Sequence, residues 1–83
     1  MNFMKVDILA FGITKDIVGG ASFSIEIAEN STVAQLKEQL GVRYPDFKAL
    51  ASLAIAINNE YAQEDQLLNA SDEIVLIPPV SGG

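Results

Sequence analysis

At its end the chain reads Asp72-Glu73-Ile74-Val75-Leu76-Ile77-Pro78-Pro79-Val80-Ser81-Gly82-Gly83. The β-branched run Ile74–Ile77 predicts a strand that is buried on both faces or nearly so. Pro78 and Pro79 fix their own φ angles and lack backbone N–H donors, so the strand cannot continue past them as a central strand. The sequence therefore predicts a buried last strand that is followed by a stiff, extended tail.

Residues 78–83 form this tail, which spans roughly 20 Å at about 3.3 Å per residue. It ends in Gly82 and Gly83, whose lack of a Cβ lets the backbone enter a channel too narrow for a side chain. The α-carboxylate of Gly83 is ionised at neutral pH. The alternative is a frayed terminus, which is what most chain ends are. The paired glycines and prolines together favour a tail that presents its carboxylate to a distant site.

Two segments near the start of the chain alternate apolar and outward-facing side chains. The apolar positions are Met4, Val6, Ile8 and Ala10 in the first segment and Phe23, Ile25 and Ile27 in the second. A period of two residues predicts a strand in each case. Residues 13–20 connect them and contain the turn signal Gly19-Gly20, so we expect an N-terminal hairpin.

A helix is predicted next, because Thr32 and Gln35 have the spacing of a capping box. Its apolar stripe consists of Val33, Leu36 and Leu40. Gly41 stands where a C-cap glycine would end the helix. Pro45 is placed to begin a short second helix at its first position.

The remainder of the chain predicts more strands. Leu53–Ile57 is an apolar strand, Asn58-Asn59 is a turn, and Glu60–Ala62 is a short strand. Between this strand and the last one the chain is mostly polar, and either Leu67 or Leu68 should fill the core under a loop.

This order of elements predicts an α+β fold of the β-grasp (ubiquitin-like) type, with a mixed sheet of about five strands packed on one main helix. Residues 1–77 would form the β-grasp domain and residues 78–83 the extended Gly-Gly tail. The first and last strands would be central and parallel.

In that arrangement Phe11 lies beside Ile77 or Val75 on the sheet face away from the helix, with Tyr61 close by. An uncovered apolar patch marks an interface, whereas scattered surface apolar side chains need no explanation. Because this patch would surround the point where the tail leaves the domain, we favour a binding surface.

The chain has 83 residues and a net charge of −6, with only five basic residues. Nucleic-acid binding relies on Lys and Arg contacts to phosphate, so we expect no nucleic-acid partner. An acidic balance instead suits a partner with a basic surface. No apolar run reaches the roughly 18 residues of a membrane span, and no signal-peptide pattern opens the chain. We therefore expect a cytoplasmic protein without a membrane partner.

The sequence contains neither cysteine nor histidine. Without histidine the chain lacks the commonest general base. Without cysteine it has no thiol nucleophile and no thiolate ligand for an Fe–S cluster or a zinc ion. We expect no metal site, no bound cofactor and no catalysis by the chain on its own. Its chemically distinctive group is the terminal carboxylate.

The closing run Asp72–Gly83 closely resembles the C-terminus of the small subunit of molybdopterin synthase, the MoaD family. Val6–Gly19, which includes Phe11, and Ala56–Tyr61 are also similar to that family, so the resemblance spans nearly the whole chain. The ending Pro-Pro-Val-Ser-Gly-Gly is specific, whereas a bare Gly-Gly also ends thiamine sulfur carriers and ubiquitin. Ser71 departs from the family, which often has glycine there, and this changes only a turn.

The resemblance implies a sulfur carrier that is a non-catalytic subunit of molybdopterin synthase. An adenylating enzyme would use ATP and Mg²⁺ to activate Gly83, and sulfide would then convert it to a thiocarboxylate. The tail would enter the large subunit, in a heterotetramer of two small and two large subunits. There the sulfur would pass to cyclic pyranopterin monophosphate and form the molybdopterin dithiolene.

By the same resemblance Gly83 is the reacting residue and Gly82 gives it access. The positions that contact the large subunit or position the tail are Phe11, Tyr61, Ile77, Pro78, Pro79, Val80 and Ser81. Two alternatives share the adenylation step, namely a sulfur carrier for thiamine synthesis and a ubiquitin-like protein modifier. A third is an interaction module in which the tail has no role.

Overall fold

Residues 2–50 and 52–79 are described by the computed structural model, and within them the chain forms five strands, two α-helices and one 3₁₀ helix. The strands are β1 (Phe3–Ala10), β2 (Ser22–Ala28), β3 (Ala54–Ile57), β4 (Glu60–Tyr61) and β5 (Ile74–Ile77). The helices are α1 (Ile13–Val18), α2 (Val33–Arg43) and the 3₁₀ helix Pro45–Ala49.

All five strands join one mixed sheet in the order β2-β1-β5-β3-β4. β1 pairs antiparallel with β2 and parallel with β5, while β5 pairs antiparallel with β3. The first and last strands are therefore central and parallel to each other, as the sequence predicted. Together with α2 against one sheet face, this topology confirms the predicted β-grasp fold.

Alternation along the strands selects the side chains that form the core. In β1 Val6 and Ile8 are fully buried, while Lys5 and Asp7, which alternate with them, are exposed. The buried set forms one cluster between the sheet and the helices, since apolar area removed from water is the main stabilising term. Its members are Val6, Ile8, Ala10, Ile25, Ile27, Val33, Leu36, Leu40, Phe47, Ile55, Ile57, Leu68, Ile74 and Leu76.

α2 begins with the predicted capping box. The Thr32 hydroxyl oxygen accepts from the Gln35 N–H at 3.3 Å, and the Thr32 N–H donates to Gln35 Oε1 at 2.8 Å. The stripe predicted for this helix faces the core, and all three of its side chains are buried. With 11 residues, α2 is the longest helix in the described ranges, where no helix is long and apolar enough to cross a membrane.

The prediction that Gly41 ends the helix is wrong, because α2 continues to Arg43 and is capped by Tyr44. Gly41 instead lies where the 3₁₀ helix Pro45–Ala49 packs closely against α2. A Cβ at this position would lie 3.3 Å from Lys48 Cε, on the 3₁₀ helix that begins at Pro45. Position 41 is therefore a close approach between two helices and not a helix end.

The segment expected to be a plain connection between β1 and β2 contains a short helix, α1. Gly19 ends it in the left-handed conformation, with φ of 83°. The N–H groups of Gly19 and Gly20 both donate to the carbonyl of Lys15, which is a typical glycine-terminated helix end. The paired glycines thus act as a helix stop as well as a turn.

The β3–β4 connection is the tight turn that the two asparagines predict. Asn58 and Asn59 adopt φ of 53° and 73°, in the left-handed region that asparagine tolerates. Further along the chain, Leu68 is buried and Leu67 is exposed. Leu68 is therefore the leucine that fills the core under the loop.

Candidate functional site

One row of apolar side chains crosses the sheet on the face away from α2. Leu9 of β1 pairs with Val75 of β5, Val75 pairs with Ala56 of β3, and Ala56 pairs with Tyr61 of β4. The registers therefore place these four residues side by side across four strands. Tyr61 lies at the sheet edge and is 74% exposed.

A second row lies next to the first, toward the end of β5. Ile77 pairs with Ala54, and Phe11 directly follows Ala10, whose partner in β5 is Leu76. Phe11 is thus level with Ile77, and its ring is 55% exposed. We name the two rows together the apolar face, which consists of Leu9, Phe11, Ala54, Ala56, Tyr61, Val75 and Ile77.

The apolar face contains three residues that the sequence assigned to a partner interface, Phe11, Tyr61 and Ile77. The strand registers bring them onto one surface at the end of β5, which is where the tail begins. Their placement agrees with the arrangement expected from alternation. Their contact with a partner stays a prediction.

Thr14 fixes the backbone at Phe11 and was missed from the sequence. It is fully buried, and its Oγ1 accepts from the Phe11 N–H at 2.9 Å while its hydroxyl donates to the Phe11 carbonyl. A buried hydroxyl needs such partners, because an unpaired polar group is costly away from water. The only available signal was a threonine in the first turn of a helix that was itself not predicted.

The base of the tail lies against the start of α1. Gly12 adopts φ of 57° and ψ of −133°, and a Cβ there would lie 3.4 Å from Pro78 Cγ. Pro78 and Pro79 are half-buried and belong to no strand, which agrees with the loss of their backbone donors. Val80, Ser81, Gly82 and Gly83 lie outside the described residues, so their roles stay predictions.

A hydrogen-bond network joins the β3–β4 turn to the start of β5. Asn58 donates through Nδ2 to Asp72 Oδ1 at 3.0 Å and accepts through Oδ1 from the Glu73 N–H at 3.0 Å. Asp72 Oδ2 also accepts from the Asn69 N–H at 2.9 Å. This network holds the turn that positions Tyr61, and its one carboxylate is that of Asp72.

Across residues 2–50 and 52–79 no cluster of three or more His, Cys, Asp or Glu side chains could hold a metal ion. The site as described consists of the apolar face and the root of the tail.

Known proteins match nearly the whole chain. The model of the ThiS family matches residues 8–83. The molybdopterin synthase sulfur carrier subunit of Dictyostelium discoideum is 38% identical over 80 residues, covering 92% of this chain and 93% of that protein.

Two solved structures extend the comparison. The Pyrococcus furiosus structure described as molybdopterin converting factor subunit 1 has a TM-score of 0.83 and 28% identity, covering 93% of this chain and 99% of that one. A complex of subunits 1 and 2 of the molybdopterin-converting factor from Helicobacter pylori contains a chain with a TM-score of 0.63 and 27% identity, and the match covers 96% of this chain and all of that one.

Proposed function

This chain belongs to the ThiS family, and on that basis we propose that it is the sulfur-carrier subunit of a molybdopterin synthase. The observation that carries the proposal is the 38% identity to a molybdopterin synthase sulfur carrier over nearly the whole of both chains. The apolar face at the base of the tail supports it, because a carrier must be recognised by the enzymes that load and unload its terminus.

The proposed chemistry occurs at the carboxylate of Gly83. A carboxylate is a poor electrophile, because it is negatively charged and its leaving group would be oxide. Attack of this group on the α-phosphate of ATP, with Mg²⁺ held by an activating enzyme, forms an acyl-adenylate and releases pyrophosphate. Sulfide then forms a C–S bond at the carbonyl carbon, the C–O bond to the adenylate breaks, and AMP leaves. The product is a thiocarboxylate.

The thiocarboxylate then donates its sulfur to cyclic pyranopterin monophosphate, with two loaded carriers supplying the two dithiolene sulfurs. This chain has no histidine or cysteine, so in the proposal the partner enzymes supply the acid–base groups. Gly82 gives the reacting carbon access to a narrow channel, since neither terminal residue has a Cβ. Because adenylation consumes ATP, we place the reaction in the cytoplasm.

The proposed partner for sulfur transfer is the large subunit, which would cover the apolar face and receive the tail. The Helicobacter pylori complex of subunits 1 and 2 supports a large-subunit partner, since its matching chain aligns with 96% of ours. A heterotetramer of two small and two large subunits is part of the proposal. The partner should present an apolar surface with a basic margin, because this chain has a net charge of −6.

Intact-mass spectrometry of the chain co-expressed with its activating enzyme tests the proposal. We expect a species heavier by the difference between sulfur and oxygen, which is lost when Gly83 is deleted or when one residue is added after it. Persistence of that species without Gly83 would contradict the mechanism. Higher-mass conjugates on lysines of other proteins would point to a modifier, and co-purification with a thiazole synthase to the thiamine pathway.

A further inference from the structure

The parallel pairing of β1 and β5 ends where the tail begins. Ala10 pairs with Leu76, so continuing this register places Gly12 level with Pro78. Pro78 has no N–H group and cannot extend the ladder, so the two segments separate at this point. One segment turns into α1 and the other becomes the tail. The contact between Gly12 and Pro78 is therefore where the tail takes its direction from the domain.

Gly12 has a backbone conformation that strongly favours glycine. Its φ of 57° and ψ of −133° are close to those of the first central residue of a type II′ turn, and they lie outside the regions open to residues with a Cβ. A Cβ built at this position would lie 3.4 Å from Pro78 Cγ. The proline ring thus packs directly over the glycine, at a distance where an added methyl group would just touch it.

Hydrogen bonds hold both peptide groups that flank Gly12. The Phe11 carbonyl accepts from the Thr14 N–H at 3.1 Å, and the Gly12 carbonyl accepts from the Lys15 N–H at 3.1 Å. Thr14 is fully buried, and its Oγ1 accepts from the Phe11 N–H at 2.9 Å. The turn therefore has one well-defined geometry, and Pro78 packs on a rigid surface.

Five residues follow Pro78, so an error of direction at the base of the tail grows along its length. Pro79 also has a fixed φ, which stiffens the base. An extended segment of this length spans roughly 16 Å at about 3.3 Å per residue, so a tilt of about 10° moves its end by roughly 3 Å. Misplacement of a reacting atom by about 1 Å can lower a rate about 100-fold.

We propose that Gly12 is a positioning residue for the chemistry at Gly83, and this inference rests on the proposed function. Gly12 acts through Pro78, by setting the direction in which the tail leaves the domain. A side chain at position 12 forces the backbone away from a φ of 57°, and relief of this strain moves the surface on which Pro78 packs. Phe11 then contributes affinity for the large subunit, whereas Gly12 contributes to the rate once that subunit is bound.

Single-turnover sulfur transfer to cyclic pyranopterin monophosphate tests the inference. The thiocarboxylate is prepared by cleaving a C-terminal thioester with sulfide, so loading needs no activating enzyme, and the large subunit is saturating. We expect Gly12→Ala to lower the rate constant at saturation at least about tenfold, while the dissociation constant for the large subunit changes less than about threefold. An unchanged rate constant at saturation would overturn the inference.

Gly19→Ala is the matched control, because it strains the backbone at the other end of α1. Gly19 also has a positive φ, of 83°, and a Cβ there would meet no atom of the described residues within 4 Å. Both variants should lose stability, but Gly19→Ala should keep the wild-type rate constant at saturation. Equal losses of rate in the two variants would show a general effect of strain in α1 and contradict the role of Gly12.

A second variant keeps the test independent of how well Gly12→Ala folds. Pro78→Ala leaves the turn intact but removes the ring that contacts it, so it should also lower the rate constant at saturation. Because both residues act through one contact, adding Gly12→Ala to Pro78→Ala should cause little further loss. A wild-type rate constant in Pro78→Ala, or losses that multiply in the double variant, would contradict the inference.

NMR of the free chain checks the contact without sulfur chemistry. We expect nuclear Overhauser effects between the α-protons of Gly12 and the ring protons of Pro78, and their absence from the wild type would overturn the inference. A wild-type thiocarboxylate that transfers no sulfur would contradict the proposed function itself. Transfer by Gly12→Ala at the wild-type rate contradicts this inference alone.

Discussion

The hydroxyl of Thr14 holds the backbone of Phe11, an exposed aromatic residue of the apolar face. Thr14→Val keeps the shape but leaves the Phe11 N–H and carbonyl without this partner. We expect a loss of about 1–3 kcal/mol in the free energy of unfolding, measured by urea denaturation, and faster hydrogen exchange at the Phe11 amide. Thr14→Ser keeps the hydroxyl and should keep the amide protected. Equal exchange in both variants would contradict this role.

Gly19 and Gly41 differ in what restricts them, and alanine substitutions separate the two cases. Gly19 has φ of 83° with nothing within 4 Å of an added Cβ, so Gly19→Ala should cost about 1–2 kcal/mol through backbone strain alone. At Gly41 the added Cβ would lie 3.3 Å from Lys48 Cε and 3.6 Å from Lys48 Cγ, which are side-chain atoms that can shift, and the position is inside α2. Gly41→Ala should therefore stabilise the protein by up to about 1 kcal/mol. Chemical denaturation of both variants checks the opposite signs.

At the scale of elements, the start of α2 depends on a local contact that the sequence specifies. Thr32→Ala removes the acceptor for the Gln35 N–H, and we expect it to lower the free energy of unfolding by about 1 kcal/mol. Thr32→Ser retains the acceptor and should lie close to the wild type in the same thermal or urea unfolding experiment. An alanine variant as stable as the serine variant would show that the cap has little energetic effect.

Elements built from local rules were predictable, and elements built from distant contacts were less so. The β1–β2 hairpin, the cap at Thr32 and the turn at Asn58 follow from alternation, capping chemistry and left-handed propensity, which act within a few residues. Gly41 is ambiguous locally, because a glycine after an apolar stripe marks a helix end as well as a close approach. Only the position of Lys48 in the folded chain distinguishes the two cases.

At the scale of the whole molecule, recognition by the large subunit should depend on the apolar face. Phe11→Ala should weaken binding of the proposed large subunit by about 2 kcal/mol, or about 30-fold, as is typical of a large aromatic side chain that is buried in an interface. Stability should change little, because the ring is largely exposed. Val42→Ala is the matched control, since that side chain on α2 is 66% exposed and lies away from the face. Calorimetric titration measures both, and equal losses would contradict the assignment.

The residues of the apolar face could be predicted from the sequence, because the order and direction of the strands determine which side chains share a sheet face. Once β1 and β5 are parallel neighbours, alternation alone brings Phe11 to Ile77 and leaves Tyr61 on the same surface. The supporting contacts depend on tertiary structure. Neither the hydroxyl of Thr14 beneath Phe11 nor the contact of Gly12 with Pro78 has a periodic signature, because each joins residues through the path of a loop.

The pairing of β1 with β5 also determines when the apolar face can form during synthesis of the chain. As the chain leaves the ribosome, β1, β2 and α2 emerge early, but the position between β1 and β3 stays empty until β5 is made. Ile8 reaches its neighbour Ile74 only then, so the apolar face cannot assemble on a partial product. The sheet is therefore completed only when the residues of β5 can reach β1 and β3. A partner that binds this face would therefore bind chains that contain β5 and would not bind chains truncated before it.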